Sequence, residues 1–166
     1  YKAQRYVLID LPGTYALTGC SEEERVAAEF IRSGQAKCMV AVCDATCLER
    51  NLHLVLQLME LTTQLIVCVN LLDEAEKMQI EIDLHALERE LGVPVVGTAA
   101  GRREGLDALL ERIRNVTDGF ESPRPRRCGA FEEAEAGSEE ASRTAQTAQE
   151  RIVHRAEEIA SRVVQT

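Results

Sequence analysis

Short apolar runs alternate with longer amphipathic segments over residues 1–116 of the chain. Four of the apolar runs are nearly continuous, as is typical of strands that are covered on both faces of a parallel sheet. They span residues 5–10, 38–44, 65–70 and 94–98. Repeated strand–helix units of this kind predict an α/β fold with a parallel, doubly wound sheet.

The amphipathic segments carry helix start and stop signals. Ser21 and Glu24 have the spacing of a capping box, and Gly34 stands where this first helix would end. Apolar residues at helical spacing predict three further helices, over residues 48–61, 83–91 and 104–116. We interpret these apolar stripes as core contacts.

The sequence changes character after Val116, because no Leu, Ile, Val or Met occurs before Ile152. The segment 117–151 can bury too little apolar surface to offset its chain entropy, so we predict a flexible linker there. Apolar residues then recur at helical intervals and predict an amphipathic helix over residues 152–166. The predicted division is therefore a domain over residues 1–116, the linker and this helix.

Acidic residues outnumber basic ones by 28 to 19, which gives the 166-residue chain a formal net charge of -9. Nucleic-acid phosphates repel such a chain on average, so we expect no nucleic-acid partner. No apolar run reaches the roughly 18 residues that a membrane-spanning helix needs, and the first residues lack the pattern of a secretion signal. These features predict a soluble, cytoplasmic piece of protein.

The cysteines form no C-x-x-C pair, and three of them lie inside the apolar runs. We expect them to be small core residues rather than metal ligands. The six are Cys20, Cys38, Cys43, Cys47, Cys68 and Cys128.

A D-x-x-G motif, formed by Asp10 and Gly13, follows the first apolar run. Ligands bind at the carboxyl ends of strands in open α/β sheets, and Asp10 lies at such an end. A carboxylate there can hold a magnesium ion, and a glycine lets a backbone amide approach a terminal phosphate closely. The motif alone is weak, because it also occurs as an ordinary strand-to-loop turn.

An N-x-x-D motif, formed by Asn70 and Asp73, follows the third apolar run. A carboxylate accepts two hydrogen bonds from the ring N–H and the exocyclic amine of guanine, a donor pair that adenine lacks. Asp73 would then select the base, and Asn70 would brace the loop. An equally good interpretation is a helix start, with Asn70 as the cap and Asp73 complementing the helix dipole.

The small residues Thr98 and Ala99 follow the last apolar run. They would let a backbone amide reach the guanine carbonyl oxygen; otherwise this segment is only a turn. The order of the three motifs discriminates between these interpretations, because each one follows a successive strand. Three coincidences at corresponding places are much less likely than one.

Together these stretches resemble the cytoplasmic G domain of the ferrous iron transport protein B family, which comprises bacterial iron(II) transporters. The resemblance is carried by residues 10–18 (DLPGTYALT), 21–31, 44–52 (DATCLERNL) and 70–76 (NLLDEAE). It covers about residues 7–113, and residues 152–164 are similar to the last helix before the membrane region of that family.

The resemblance implies a Ras-like P-loop NTPase fold that binds GTP and GDP with Mg2+ and hydrolyses GTP slowly. It also implies coupling to Fe(II) passage through the membrane-transporter region of the same parent protein, on the cytoplasmic side of the bacterial inner membrane. It assigns no catalytic residue in this chain. The residues that it assigns are Asp10 on the magnesium side, Gly13 at the terminal phosphate, Asn70 and Asp73 at guanine, and Thr98 with Ala99 closing over the base.

The phosphate-binding motif G-x-x-x-x-G-K-[ST] occurs nowhere in the chain. In the resembling family it precedes the D-x-x-G strand, so we expect this chain to be an internal fragment whose sheet is missing its first strands. Without that loop most of the nucleotide's charge is unmatched, and we predict weak or absent GTP binding. The missing strand would lie between the runs 5–10 and 38–44, which predicts either a gap there or direct pairing of the two.

Two other functions stay open from the sequence. One is a nucleotide-free interaction module that docks on a partner through its acidic surface and C-terminal helix. The other is a different small GTPase of the translation-factor class, against which the run DATCLERNL argues. A homo-oligomer is also left open. GTP hydrolysis is implied for the full-length family, and we expect this chain alone to be inactive without the phosphate loop.

Overall fold

The computed structural model describes residues 5–11, 21–129 and 138–165, with side chains described for all of these except 138–145. Gly13 and Cys20 therefore lie outside the described residues. The strands are β1 (Met39–Asp44), β2 (Leu65–Asn70), β3 (Glu81–Ile82), β4 (Val95–Gly97) and β5 (Val164–Gln165). The helices are α1 (Glu22–Arg32), α2 (Leu48–Leu61), α3 (Leu72–Lys77), α4 (Leu84–Leu91), α5 (Leu106–Thr117) and α6 (Ser138–Val163).

A parallel three-stranded sheet in the order β1-β2-β4 forms the centre of the fold. Strand β2 is buried from Leu65 to Val69, because both of its neighbours are strands and helices cover both faces of the sheet. One face packs on α2, and α5 packs against the other through Val116, which lies with Ile66 and Val96. This arrangement confirms the predicted α/β fold with a parallel sheet.

Helix α1 starts at the predicted signal, and α4 is capped at both of its ends. The Ser21 hydroxyl accepts a hydrogen bond from the backbone N–H of Glu24 at 3.1 Å, and α1 begins there. Asp83 caps α4 by accepting from Ala86 N at 2.8 Å, and Gly92 ends that helix with φ +72°. At both N-termini a side chain thus accepts a hydrogen bond from a backbone N–H that has no partner within the helix. Gly92 supplies the left-handed conformation that commonly ends a helix.

The strand predicted over residues 5–10 does not form, so that prediction is wrong. Residues 5–11 have no regular secondary structure, and Val7 and Leu8 are 88% and 89% exposed. A strand needs a neighbour for its backbone N–H and C=O groups. Strand β1 does not pair with this segment, and its edge away from β2 has no strand partner among the described residues. Of the two predicted outcomes, direct pairing with 38–44 is therefore excluded.

The flexible linker predicted over 117–151 differs from the structure at both ends. Near its start the chain is tied down: Arg124 N and Arg126 N donate to the carbonyls of Gly92 and Leu91 at 2.9 and 2.8 Å. Near its end, helix α6 already begins at Ser138 rather than at residue 152. Ala, Glu, Gln and Arg are strong helix formers, so this Ala-rich segment extends the apolar helix that follows it.

Helix α6 packs on α2 and completes the core, so α2 is the partner of the predicted C-terminal helix. Ile152, Ala156, Ile159 and Val163 form its buried stripe at helical spacing, and each is at most 1% exposed. Strand β5 follows directly and pairs antiparallel with β3. No helix within the described ranges has the length and apolarity needed to cross a membrane.

A cluster of charges also joins α6 to α4. Arg155 Nη2 lies 2.9 Å from Glu90 Oε2, and Arg162 Nη1 lies 3.1 Å from Glu90 Oε1. Burial raises the pKa of Glu90, but hydrogen bonds from the two arginines outweigh it and hold the pKa below its ordinary value of 4.5. The charged form of the Glu90 carboxylate therefore stabilises the folded state.

We expect Glu90→Gln to lower the free energy of unfolding at pH 7 by less than about 1 kcal/mol, because Glu90 and its two arginine partners are partly exposed. A carboxyl whose pKa is depressed by folding stabilises above its unfolded pKa and loses that effect as pH falls through its folded pKa. The difference between wild type and variant in urea unfolding curves should accordingly begin to shrink as pH falls below 4.5, and it should vanish below the lower pKa of the folded state. Glu157→Gln, on the exposed face of α6, is the control and should show no such pH-dependent difference.

Candidate functional site

The loops that follow β2 and β4 meet at the carboxyl edge of the sheet. Val69 lies opposite Gly97, and Thr98 N donates to the Val69 carbonyl at 2.8 Å. In the other direction Leu72 N donates to the Thr98 carbonyl at 3.2 Å. The parallel register therefore places the N-x-x-D loop directly beside the segment Thr98–Ala99.

The Asn70 side chain joins these two loops. Its Oδ1 accepts hydrogen bonds from the Thr98 hydroxyl at 2.9 Å and from Ala100 N at 3.0 Å. The N-cap of α3 is Leu71, which makes no side-chain capping bond. The alternative interpretation of Asn70 as a helix cap is thus wrong, and Asn70 instead orders the neighbouring loop.

Thr98 is buried and makes a second contact beneath the loop. Its hydroxyl oxygen lies 3.3 Å from the Cys68 sulfur. Burial raises the pKa of the Cys68 thiol, and the hydrogen bond with Thr98 opposes that effect. A protonated thiol can donate to Thr98 while the Thr98 hydroxyl donates to Asn70, so the three side chains form one chain of hydrogen bonds.

Leu71, the second residue of N-x-x-D, has left-handed backbone with φ +63°. This conformation costs a residue with a Cβ about 1–2 kcal/mol. Strained backbone of this kind is concentrated at binding loops. Leu71 is 37% exposed, so an apolar surface lies next to Asp73.

A cavity of about 240 Å³ opens between these loops. Its walls include Asp73, Thr98, Ala99, Arg102 and Gly105. Sites for drug-sized ligands usually measure about 300–1,000 Å³, so this cavity suits a single base rather than a whole nucleotide. The structure thereby brings Asp73, Thr98 and Ala99 together around one space.

The backbone amides of the last loop are already engaged. Ala99 N donates to the Glu104 carbonyl at 3.1 Å, and Ala100 N donates to Asn70. Neither amide is free to meet a guanine carbonyl oxygen in this conformation. The expected closing of Thr98 and Ala99 over a base would require the loop to rearrange.

Arg102 is a site residue that sequence reasoning missed. Its Nε lies 3.1 Å from Asp73 Oδ2, and the Asp73 side chain is 15% exposed. Arg102 ends a short 3-10 helix, Ala100–Arg102, within the loop. The two residues are far apart in sequence and no motif includes Arg102, so only the folded loop reveals this pair.

Asp10 is an exposed residue outside any strand, and it does not line this cavity. Within residues 5–11, 21–129 and 138–165, no group of three or more His, Cys, Asp or Glu side chains could hold a metal ion. The assignment of Asp10 to Mg2+ and of Gly13 to the terminal phosphate stays a prediction.

We expect Asn70→Ala to lower the free energy of unfolding by about 1–3 kcal/mol, because it leaves the Thr98 hydroxyl and the Ala100 amide without their acceptor. Urea unfolding followed by circular dichroism measures the change. Asn51→Ala is the matched control, since the Asn51 amide donates to Cys47 within its own exposed helical turn and has no other partner among the described residues. Equal effects of the two substitutions would contradict a bracing role for Asn70.

A family model described as ferrous iron transport protein B matches residues 1–113 of the chain. The Fe(2+) transporter FeoB of Salmonella typhimurium is 47% identical over 120 residues, which are 69% of this chain and 16% of that protein. FeoB of Escherichia coli strain K12 is 47% identical over 106 residues, 61% of this chain and 14% of that protein. The chain thus spans only a small part of the length of these relatives.

Solved structures show the same fold. The cytosolic domain of the T. maritima FeoB iron transporter in apo form has a TM-score of 0.83 at 24% identity, covering 94% of this chain and 79% of that one. Its GMPPNP form has a TM-score of 0.81 at 24% identity, with coverage of 95% and 80%. The FeoB G domain from Methanococcus jannaschii is 41% identical with a TM-score of 0.64, covering 66% of this chain and 70% of that one. These likenesses confirm the expected G-domain fold, and because the family model covers more than half of its residues, the chain belongs to the ferrous iron transport protein B family.

Proposed function

We propose that this chain forms the base-recognising part of a guanine-nucleotide-binding domain. The observation that carries the proposal is the pair of hydrogen bonds from Thr98 and Ala100 to Asn70 Oδ1, next to the cavity that Asp73 lines. These bonds hold two loops from neighbouring strands in a fixed relation around a base-sized space. In this proposal Asp73 reads the base, and Asn70, Thr98 and Ala99 shape the pocket.

Asp73 supplies the chemistry of selection. A carboxylate accepts from the N1–H and the 2-amino group of guanine at once, and such charge-assisted pairs are stronger than neutral hydrogen bonds. Adenine would present an acceptor nitrogen to the same carboxylate, which is repulsive. The exposed Leu71 side chain offers apolar contact rather than the charged stacking of a lysine.

The role of the whole parent protein is the wider part of the proposal. The parent would couple GTP binding and hydrolysis to Fe(II) uptake, with this domain on the cytoplasmic side of the membrane. The T. maritima relative has been solved in GDP and GMPPNP forms, which supports guanine-nucleotide binding in the family fold. The chain lacks the G-x-x-x-x-G-K-[ST] motif, so we expect its affinity for GTP to come mainly from the base and to be weak.

Titration of the 15N-labelled chain with guanosine and, separately, with adenosine tests base recognition without phosphate charge. We expect guanosine to shift the backbone amide signals of residues 70–73 and 98–105, and adenosine to leave them unchanged at equal concentration. Backbone amides of α1 are the internal reference, because that helix lies outside the pocket. Equal shifts with both nucleosides, or none with guanosine, would contradict the proposed function.

A further inference from the structure

The carboxylate that is proposed to read guanine already has a cationic partner inside the chain. Arg102 Nε lies 3.1 Å from Asp73 Oδ2, and both residues line the same cavity. The Asp73 side chain is 15% exposed, whereas that of Arg102 is 50% exposed. The Asp73 side chain is therefore largely buried in the cavity wall, whereas the Arg102 side chain can turn into solvent at a small cost in free energy.

The guanidinium group of Arg102 has the same chemistry as the edge of guanine that a carboxylate binds. Atoms N1, C2 and the 2-amino nitrogen of guanine form part of a guanidine unit, in which two nitrogens bonded to the same carbon carry N–H donors. Both groups are attracted to the same carboxylate oxygens: Arg102 lies there as an ion pair, and guanine would donate its N–H groups to them. Arg102 and guanine therefore compete for one acceptor.

We propose that Arg102 is an internal competitor of guanine that occupies Asp73 when the base is absent and determines the affinity of the site. This inference rests on the proposed function, whose regulation it describes. The ion pair between Arg102 and Asp73 must break before guanine binds, which reduces the net binding free energy of guanine. The same pair keeps Asp73 from remaining an unpaired charge beside Glu76 and Glu104, which line the same cavity.

The competition predicts that removal of Arg102 tightens base binding. Exposed ion pairs contribute little, so we expect Arg102→Ala to lower the Kd for guanosine by about two- to fivefold. Guanosine is the probe because it carries no phosphate, and a lost positive charge would otherwise weaken binding for an unrelated reason. Arg103→Ala is the matched control, since it removes the same charge from the adjacent position.

The Nε–H signal of Arg102 in the wild-type 15N spectrum provides a second readout that needs no substitution. We expect guanosine to move this signal toward the position of a solvent-exposed arginine, while the Arg103 signal stays in place. Raising the salt concentration should also reduce the difference in Kd between wild type and Arg102→Ala, because salt screens the exposed pair.

The outcomes separate this inference from the proposed function. If guanosine binds and Arg102→Ala has the same Kd as Arg103→Ala, with the Arg102 Nε–H signal unmoved, the competitor role is wrong and the base site stands. If neither wild type nor Arg102→Ala binds guanosine in preference to adenosine, both proposals fail. Tighter guanosine binding by Arg102→Ala alone, together with the shifted signal, supports both.

Discussion

Ile159→Ala is expected to lower the free energy of unfolding by about 2–5 kcal/mol, the range for truncating a buried isoleucine in a core. Ile159 is 0% exposed in the stripe through which α6 joins the main core with α2 and the sheet. The loss has two parts, the removed apolar contact and the cavity that the rigid neighbours cannot fill. Urea unfolding of the purified chain measures it.

The result also tests whether α6 belongs to the folding unit. Glu157→Ala, two residues away on the exposed face, serves as the control and should change the stability by no more than about 0.5 kcal/mol. If Ile159→Ala were as mild as this control, α6 would not be part of the core in solution. A single cooperative transition at a lower urea concentration is the expected behaviour.

Gly105→Ala is expected to cost about 2–5 kcal/mol, the sum of left-handed backbone strain and overpacking. Gly105 has φ +77°, and a Cβ built there would overlap the carbonyl oxygen of Gly97. It would also lie 3.1 Å from the Cα of Thr98. The added methyl group therefore forces apart the two segments that form one side of the cavity.

Two other glycines separate these causes. Gly34 has φ +65°, and no atom of the described residues lies within 4 Å of the built Cβ, so Gly34→Ala reports backbone strain alone. Gly101 also has open space and needs no left-handed conformation, so Gly101→Ala should be close to neutral. The expected order of destabilisation is Gly105, then Gly34, then Gly101. A Gly105 variant no less stable than the Gly34 variant would show that the close approach to Gly97 is absent.

The hydrophobic pattern correctly predicts elements that pack within the core and have their neighbours in place. Strand β2 appears over the predicted residues because its run is buried on both faces, and α2 likewise carries a complete apolar stripe. Residues 5–10 show the same kind of apolar run and yet form no strand. A strand depends on a hydrogen-bonding neighbour, and a sequence pattern does not say whether that neighbour is in place.

The candidate site also contains residues that the sequence indicates and one that it does not. Asn70 and Asp73 can be singled out because both follow a strong strand signal. The N-x-x-D motif by itself also fits a helix cap, and the fold excludes that interpretation by placing Asn70 Oδ1 against Thr98 and Ala100. Arg102 could not be found at all, since its pairing with Asp73 depends on the path of a loop. Contacts of this kind between distant residues are set by tertiary structure rather than by local propensity.

The most direct measurement of the central claim is a change of base preference on Asp73→Asn. An asparagine side chain has one acceptor and one donor group, so it no longer offers two acceptors to the N1–H and 2-amino group of guanine. Xanthosine, which carries a carbonyl oxygen in place of the 2-amino group, matches the new donor. NMR titration should therefore show that wild type binds guanosine over xanthosine and that the variant binds xanthosine over guanosine. An unchanged preference for guanosine in the variant would contradict the assignment of Asp73 as the residue that reads the base.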